Sequence, residues 1–402
     1  MAADMTNAPV QVPVYLDNHA TTRLDPRVLE AMMPYLTTEY GNASSSTHIY
    51  GMRAKEAVER ARSQVAALIG ASPKEIIFTS GATESINTAL KGALACSSRK
   101  RVVTTAIEHK AVLDCCHFLQ SRGIEVEVVP VTSEGFVDLA ALQTALQEET
   151  ALVSIIHANN EIGTIQPLEE IARLAKPHGA LLHVDAAQSL GKIPIQVRSL
   201  GIDLMSMSAH KLYGPKGVGA LYVRGGLPGV KLEPLLHGGG QERGLRAGTL
   251  NVAGIVGLGA ACEIARAEMT TEAERLRQLR DLLLARLREG IEGLVVNGSL
   301  TSRLPNNLNV SIPGVEGEAL LMSLRNEVAV SSGSACASHT REASHVLKAI
   351  GRSPALAHSS LRFGLGRFTT REEVEFAATS VIEKVKKLRS LSPRSSFHSE
   401  DT

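Results

Sequence analysis

The stretch DLMSMSAHKLYGPKGVGALYV, residues 203–223, contains two short apolar runs joined by a turn that carries a lysine. Lys211 directly follows the first run, and the segment GPKG turns the chain toward the second. Ligands of open α/β sheets bind at the carboxyl ends of the strands. The stretch therefore predicts a sheet with Lys211 at its ligand-binding edge, although a lysine considered alone is more often a surface residue.

Five more runs of the same kind precede this stretch and alternate with helical segments. They are EIIFTS, KRVVTTAI, EVEVVPV, ALVSIIHANN and ALLHVDAAQ, which begin at residues 75, 100, 125, 151 and 180. Short apolar strands interleaved with helices are typical of a mainly parallel sheet that is covered on both faces. Together with the two runs of the first stretch, the sequence predicts seven strands in an α/β fold.

The composition excludes several classes of protein. The 402 residues include 42 basic and 41 acidic side chains, and a net charge of +1 gives no electrostatic footprint for nucleic acid or an anionic membrane. Five cysteines in so long a chain indicate reduced thiols rather than a disulfide framework. The N-terminus resembles neither a secretory signal nor a transit peptide, and no apolar run reaches the ~18 residues of a membrane span. We expect a cytoplasmic protein.

The last third of the chain has a different pattern. Residues 270–290 show a helical leucine stripe on a charged background, which we interpret as the connection to a second domain. LNVSIP, EVAVSS and SSLRFGLGR are typical strands, and Thr370 and Glu373 are spaced for a capping box at the start of a closing helix. We predict a large α/β domain at residues 18–268 and a smaller α+β domain formed by residues 1–17 and 269–402.

Two other strand ends carry side chains suited to the same ligand as Lys211. HVDAAQ places Asp185 and Gln188 after one strand, and TSGATES places Thr83 where another strand turns into a helix. A lysine amine, a carboxylate for a ring nitrogen and a helix N-terminus for a phosphate are what a pyridoxal phosphate site requires. Asp185 alone could be an ordinary N-cap, and the loop before Thr83 an ordinary turn, so the hypothesis depends on the combination.

The longer motifs resemble a known family. From YLDNHATT at residue 15 to LRSLSP at residue 393, the chain resembles the class V aminotransferase-like cysteine desulfurases, specifically the housekeeping group that serves iron–sulfur cluster assembly. The resemblance implies the pyridoxal-phosphate-dependent transferase fold, also called aspartate aminotransferase-like. That fold has a mainly parallel seven-stranded sheet with helices on both faces and a smaller α+β domain. The resemblance also implies a homodimer.

The resemblance implies a role for each residue of the cofactor site. Lys211 would hold pyridoxal 5'-phosphate, Asp185 would pair with its ring nitrogen, and Gln188 would bond its ring hydroxyl. The phosphate would be held by residues of this chain and by one residue reaching in from the second subunit: Ala82, Thr83, Ser208 and His210 here, and Thr249 from the second subunit.

Three further residues gain roles from the resemblance. His109 in IEHKAVLD would stack on the ring and shuttle protons, and Asn160 in HANNEIG would orient cofactor and substrate. Arg362 would bind the substrate α-carboxylate with a two-pronged hydrogen bond, which suits a guanidinium better than an ammonium. The alternatives are a core or capping histidine for His109 and an interdomain salt bridge for Arg362.

Cys336 lies among small residues in SSGSACAS, residues 331–338. If the cofactor makes the substrate sulfur electrophilic, a thiolate is the best side chain to attack it near neutral pH. Cys336 would then carry the sulfur as a persulfide while the carbon skeleton leaves as L-alanine. No metal site is predicted, except that Cys336 could transiently ligate an iron–sulfur cluster on a partner. Three other cysteines are predicted to be core residues: Cys115, Cys116 and Cys262.

The expected activity is therefore desulfuration of L-cysteine, with sulfur passed to an acceptor such as an iron–sulfur scaffold or a tRNA thiolation protein. We expect no direct contact with nucleic acid or membrane. A selenocysteine lyase and a catalytically idle sulfur-transfer partner are the alternatives. The chain departs from the family in its short tail RSSFHSEDT, which leaves delivery to a scaffold open. Asn18-His19 and Gln241 are variants to which we attach no functional change.

Overall fold

The computed structural model describes residues 10–226, 228–332 and 343–391. Cys336 and the C-terminal tail lie outside the described residues. What the sequence predicts for them therefore stays a prediction.

Twelve strands lie in the described part of the chain. In chain order they are β1 (Val14–Tyr15), β2 (Ile76–Thr79), β3 (Arg101–Thr105), β4 (Glu125–Val129), β5 (Leu152–Ile156), β6 (Leu181–Asp185), β7 (Leu204–Ser208), β8 (Gly219–Val223), β9 (Val295–Val296), β10 (Asn307–Ser311), β11 (Val328–Ala329) and β12 (Ser360–Gly364).

Strands β2 to β8 form one sheet with the spatial order β2-β8-β7-β6-β5-β3-β4. Neighbouring strands are parallel except at β8, which runs antiparallel to both β2 and β7. Each of the seven apolar runs contains one of these strands. The predicted mainly parallel seven-stranded sheet is confirmed.

Eleven α-helices surround the sheets in the residues that the structure describes. They are α1 (Pro26–Thr37), α2 (Ile49–Ile69), α3 (Ala82–Ala95), α4 (Lys110–Gln120), α5 (Leu139–Ala145), α6 (Leu168–Ala175), α7 (Val252–Gly290), α8 (Gly317–Leu324), α9 (His345–Ala349), α10 (Pro354–His358) and α11 (Arg371–Leu391).

Alternate side chains of the central strands enter separate cores. On β7, Met205 and Met207 pack in a cluster with residues of α1, α2 and the first half of α7, whereas Leu204 packs with residues of α3 and α4. Successive side chains of a strand point to opposite faces. Both faces of the central strands are therefore buried, which explains why these strands read as continuous apolar runs, whereas the edge strand β4 keeps exposed residues.

A second hydrophobic cluster is built mainly from the last third of the chain. Strands β9, β10 and β12 form an antiparallel sheet, and β1 pairs in parallel with β11. Leu16 of the N-terminal segment shares this cluster with Val310, Phe363 and Val381. The clusters support the division at residues 17 and 268, which stays a prediction.

The connecting helix starts earlier than the leucine stripe suggests. Helix α7 begins at Val252, and residues 270–290 are its second half. Residues 252–262 are glycine-rich, have no polar side chain and are almost completely buried, so the start of the helix shows no polar face. A Cβ added at Gly259 would lie 2.6 Å from Cα of Ala61 in α2, so glycine lets the two helices approach closely.

The capping box predicted for α11 is present. The backbone N–H of Thr370 donates to Glu373 Oε2 at 2.9 Å, and the backbone N–H of Glu373 donates to Thr370 Oγ1 at 3.2 Å. These two bonds satisfy backbone donors that have no acceptor within the helix.

None of the helices in the described ranges combines the length and the hydropathy that crossing a bilayer requires.

A buried ion pair holds the glycine-rich segment HGGGQERG, residues 237–244. The carboxylate of Glu242 accepts hydrogen bonds from Nη1 and Nη2 of Arg62 at 2.8 and 2.7 Å and from the backbone N–H of Phe78 at 2.7 Å. Both charged side chains are buried. Glu242 itself has a φ of +46°, a conformation that non-glycine residues seldom adopt. The ion pair therefore stabilises an otherwise unfavourable backbone conformation.

We expect Glu242→Gln to destabilise the protein strongly, because Arg62 then keeps only the exposed Glu59 as a counter-charge. Removing one partner of a buried pair typically costs about 3–5 kcal/mol in the free energy of unfolding. The control is Glu263→Gln, which removes the half-exposed partner of Arg266 and should cost less than about 1 kcal/mol. Urea unfolding measures both, and equal losses would contradict the role of the buried pair.

Candidate active site

One cavity of about 600 Å³ lies where the strands of the large sheet end. It brings together the predicted cofactor and substrate residues that the structure describes, with one exception. The lining residues among them are Ala82, Thr83, His109, Asn160, Asp185, Gln188, Ser208, His210, Lys211 and Arg362. The exception is Thr249, which is exposed and does not line this cavity. Cys336 lies outside the described residues.

Lys211 reaches the cavity from a single 3₁₀ turn, Ala209–Lys211, that directly follows β7. Its Nζ donates to the carbonyl oxygen of Ala20 at 2.7 Å and to that of His19. Backbone carbonyls from the YLDNHATT motif thus fix the position of the lysine amine. The structure gives this motif a contact that its sequence alone does not suggest.

Asp185 ends β6 and places a buried carboxylate in the same cavity. Its Oδ1 accepts a hydrogen bond from the backbone N–H of Ala187 at 2.9 Å. Burial raises the pKa of Asp185, and the nearby His109 and Lys211 oppose that shift. A carboxylate that is costly to bury is suited to a ligand that brings a positive charge next to it.

His109 is both a helix cap and a cavity residue. It is the N-cap of α4, and its Nδ1 accepts a hydrogen bond from the backbone N–H of Ala111 at 3.1 Å. Because Nδ1 is an acceptor, the neutral imidazole carries its proton on Nε2. The capping role that the sequence left open therefore coexists with a position at the ligand cavity.

Arg362 enters the cavity from β12 of the small sheet. Its Nη2 donates to Asp17 Oδ1 and its Nη1 to the carbonyl oxygen of Asn160, both at 3.0 Å. Arg362 thus forms a salt bridge with Asp17, a residue of the same predicted small domain, so the pair is not the interdomain salt bridge considered as the alternative. The buried Nε of Arg362 and Oδ1 of Asn160 have no hydrogen-bond partner within the described residues. Such unsatisfied polar atoms are costly unless a ligand bonds to them.

The N-terminus of α3 forms another wall of the cavity. Gly81, the residue before the helix, has a φ of +153°. Gly219 packs closely against it, since a Cβ added to Gly219 would lie 2.6 Å from the Cα of Gly81. Helix N-termini bind anions through unpaired N–H groups and the helix dipole. Ser208 and His210 line the same cavity, and burial together with Lys211 and Lys216 lowers the pKa of His210 to about 4. A neutral His210 can therefore take part in binding a phosphate by hydrogen bonding.

These observations fit the cofactor that the sequence implies. The cavity contains an amine, a buried carboxylate, a helix N-terminus and unsatisfied polar atoms of Asn160 and Arg362. Pyridoxal phosphate requires a lysine, a partner for its ring nitrogen and an anion site.

Glu108 is a buried acid beside the cavity that the sequence did not single out. Its Oε1 accepts hydrogen bonds from Thr105 Oγ1 at 2.6 Å and from the backbone N–H of Ile156 at 2.9 Å, whereas the buried Oε2 has no partner among the residues that the structure describes. Burial raises the pKa of Glu108 to about 8. The two hydrogen bonds lower this pKa, and the charge of Asp185 raises it further. No sequence signal marks Glu108, because its partner Ile156 lies 48 residues away in the chain.

Because of Glu108, the stability of the wild-type protein should fall as the pH rises from about 4.5 to about 8. An acid with a raised pKa binds its proton more tightly in the folded state, so stability is lost between its ordinary pKa, 4.5, and about 8. Glu108→Gln stays neutral, so we expect its urea midpoint to rise relative to wild type between about pH 5 and pH 8. The control Glu134→Gln alters an exposed acid and should show no such trend. A pH-independent difference between Glu108→Gln and wild type would contradict this prediction.

Comparison with known proteins gives matches over nearly the whole chain. The family model for aminotransferase class-V matches residues 14–376. "Cysteine desulfurase IscS" of Anaeromyxobacter sp. (strain Fw109-5) is 56% identical over 386 residues, which cover 96% of this chain and 95% of that protein. The human "Cysteine desulfurase" is 52% identical over 387 residues, which cover 96% of this chain and 84% of that protein.

Solved structures agree with these matches. A "NIFS-LIKE PROTEIN" superposes with a TM-score of 0.87 at 43% identity and covers 93% of this chain and 100% of its own. "SspA in complex with cysteine" superposes with a TM-score of 0.78 at 37% identity, covering 89% and 99%. The predicted fold class, enzyme class and cofactor are thereby confirmed. The chain belongs to the aminotransferase class-V family and, within it, to the pyridoxal-phosphate-dependent cysteine desulfurases of the housekeeping group.

Proposed function

We propose that the protein converts L-cysteine to L-alanine and transfers the sulfur to Cys336 as a persulfide. The observation that supports this proposal best is that Lys211, Asp185 and Arg362 line one cavity. They supply it with an amine, a buried carboxylate and a guanidinium. The atoms balance: L-cysteine and the Cys336 thiol give L-alanine and a Cys336 persulfide.

Substrate binding is assigned to Arg362. Asp17 and the carbonyl of Asn160 fix its guanidinium, so its planar donors are pre-organised for a carboxylate. The unsatisfied Nε of Arg362 and Oδ1 of Asn160 would then find partners in the bound substrate and cofactor. The α-carboxylate of the amino acid is the group that this geometry suits.

Lys211 and His109 are assigned the proton transfers. Pyridoxal phosphate, when bound, supplies an electron sink for the substrate α-carbon. The Lys211 amine takes the proton from that carbon, and the Nε2 of His109 is the position at which the imidazole holds or gives up a proton. Asp185 would carry the negative charge opposite the ring nitrogen, and Gln188 would bond the ring oxygen. Ala82, Thr83, Ser208 and His210 would surround the phosphate.

Cys336 is assigned the attack on the substrate sulfur. Its thiolate forms the new S–S bond while the carbon–sulfur bond of the substrate breaks, and the electron pair stays with the carbon skeleton. Protonation of that skeleton releases L-alanine. The three described cysteines in the core are unsuited to this step, because burial raises the pKa values of Cys115, Cys116 and Cys262.

Cys336→Ala should keep the yellow cofactor and lose alanine formation from cysteine, because no thiolate then receives the sulfur. The measurements are the visible absorbance of the purified protein and the release of alanine. Cys96→Ala is the matched control, since Cys96 is exposed and does not line the cavity. Undiminished desulfuration by Cys336→Ala would contradict the proposal. Wild-type protein that releases alanine from selenocysteine and not from cysteine would instead favour a selenocysteine lyase.

We also propose that the protein is a homodimer in which Thr249 serves the second subunit's cavity. Thr249 is exposed and lies outside the cavity of its own chain. Leu29, Met33 and Leu36, which share one face of α1, are large apolar side chains left in solvent. A second copy of the chain would cover this face and supply Thr249.

Replacing Met33 and Leu36 together by Glu should separate the subunits, because like charges would then face each other across the two-fold axis. Sedimentation velocity should show a dimer for wild type and a monomer for the double variant. The control Leu300→Glu changes another exposed apolar residue, on a turn outside α1, and should stay dimeric. A dimeric double variant would contradict the assignment of the interface.

We propose a protein acceptor for the Cys336 sulfur, either an iron–sulfur scaffold or a tRNA thiolation protein, and a cytoplasmic location. The name of the relative "Cysteine desulfurase IscS" supports removal of sulfur from cysteine as the reaction that supplies this acceptor. A relative from Arabidopsis thaliana is named "Cysteine desulfurase, mitochondrial", so members of the family work in more than one compartment.

A further inference from the structure

A chain of buried hydrogen bonds links strand β10 of the small sheet to Gln188 in the cavity. Nδ2 of Asn307 lies 3.1 Å from Nε2 of His19, and Nδ1 of His19 lies 3.0 Å from Oε1 of Gln188. Nε2 of Gln188 donates back to the carbonyl oxygen of His19 at 2.9 Å. The three side chains are buried.

The direction of these hydrogen bonds is fixed from the far end. Arg303 has only donors, and its Nη1 lies 3.1 Å from Oδ1 of Asn307, so that atom is the acceptor. Nδ2 of Asn307 also donates to the carbonyl oxygen of Glu161 at 3.1 Å, which agrees with this orientation of the amide. His19 Nε2 must therefore accept, and the ring proton lies on Nδ1. His19 in turn donates to Oε1 of Gln188.

His19 keeps this tautomer over the working pH range. Burial, followed by the charge of Arg362, lowers its pKa to about 3, while the bond to Gln188 and the charges of Lys211 and Lys192 have smaller effects. The imidazole is therefore neutral near pH 7. A neutral ring with one proton can donate from Nδ1 and accept at Nε2, as this chain of bonds requires.

The arrangement determines what Gln188 can offer to a ligand. Its oxygen is engaged by His19, and one of the two hydrogens on Nε2 goes to the His19 carbonyl. The second hydrogen on Nε2 is the donor that remains for the cavity. If the amide were rotated by half a turn, its oxygen would face the carbonyl oxygen of His19 and its N–H groups would face the Nδ1 proton of His19. Neither contact is a hydrogen bond, so that orientation is excluded.

We propose that His19 is a positioning residue that fixes Gln188 as an N–H donor to the ring oxygen of the cofactor, with Asn307 and Arg303 holding His19. The inference rests on the proposed role of Gln188 at that oxygen. It revises the expectation that the Asn18-His19 pair has no functional consequence. Asn18 fits that expectation, because its Nδ2 donates to the backbone carbonyl of Gly364 at 2.8 Å.

The bound cofactor itself reports on such a donor. A hydrogen bond to the negatively charged ring oxygen stabilises that charge, so the bound cofactor gives up its proton at lower pH. Loss of the donor should therefore raise the midpoint of the pH titration of its visible absorbance. If His19 had only a structural role, its replacement would not raise this midpoint as the replacement of Gln188 does.

The experiment is that titration on the loaded enzyme without cysteine. Gln188→Leu should raise the midpoint by about one unit, and His19→Leu should raise it by a large part of that amount. The double variant should show no shift beyond that of Gln188→Leu, because both changes remove one interaction. His19→Asn should stay near wild type, since its amide N–H can replace Nδ1.

Asn307 and Asn306 provide a matched pair outside the site. Asn307→Ala removes the donor to His19 and should raise the midpoint. Asn306→Ala removes an equally buried amide that donates to the carbonyl of Leu365, and should leave it unchanged. Asn307→Ala also tests the proposal if His19→Leu does not retain the cofactor.

The outcomes separate this inference from the function on which it rests. Wild-type midpoints in His19→Leu and Asn307→Ala, with a raised midpoint in Gln188→Leu, would overturn the positioning role alone. An unshifted Gln188→Leu would overturn the role of Gln188 and the inference with it. Alanine formation by wild type, measured separately, tests the desulfurase activity whatever these midpoints are.

Discussion

The lysine of the site is held by backbone carbonyls of a segment that precedes it by about 190 residues. Nζ of Lys211 donates to the carbonyl oxygens of His19 and Ala20. The same segment, residues 17–21, also contacts two other side chains that line the cavity. Asp17 pairs with Arg362, and Thr21 hydrogen-bonds to His210. A change in the path of this segment would therefore move the Lys211 amine, the Arg362 guanidinium and the His210 imidazole together.

Buried polar groups around this segment avoid the cost of an isolated charge in two ways. Asp25 keeps its charge because Arg27 and Arg367 bond to it and lower its pKa despite burial. His19 and His210 lose theirs, because desolvation lowers both pKa values far below neutrality. The histidines can then act as hydrogen-bond donors and acceptors beside Lys211 without adding positive charge.

The sequence predicted well whatever depends on local pattern. The strands other than β4 were predictable because both of their faces are buried, and the cap at Thr370 because its partner lies three residues away. The edge strand β4 was recognisable from its valines, although it is mostly exposed. The start of α7, residues 252–262, was missed, since a helical segment buried on all sides has no polar stripe. His19 and Glu108 were missed because their partners lie far away in sequence; Asn307 is 288 residues from His19. Lys211, Asp185, Gln188 and Thr83 were predicted from their residue types at strand ends, whereas the other predicted lining residues came from the family resemblance.

The turn after β5 explains how two separate cores can share one cavity. Oδ1 of Asn159 accepts from the backbone N–H groups of Glu161 and Ile162, which fixes the turn from within. From the small sheet, Asn307 and Asn309 donate to the carbonyl oxygen of Glu161. Arg362, which pairs in register with Asn309, donates to the carbonyl of Asn160. The small sheet thus recognises backbone atoms of the turn, and a Cβ at Gly163 would collide with Asn307 at 2.5 Å from its Cγ. The position of the Arg362 guanidinium therefore depends on the backbone path of this turn more than on the identity of its side chains.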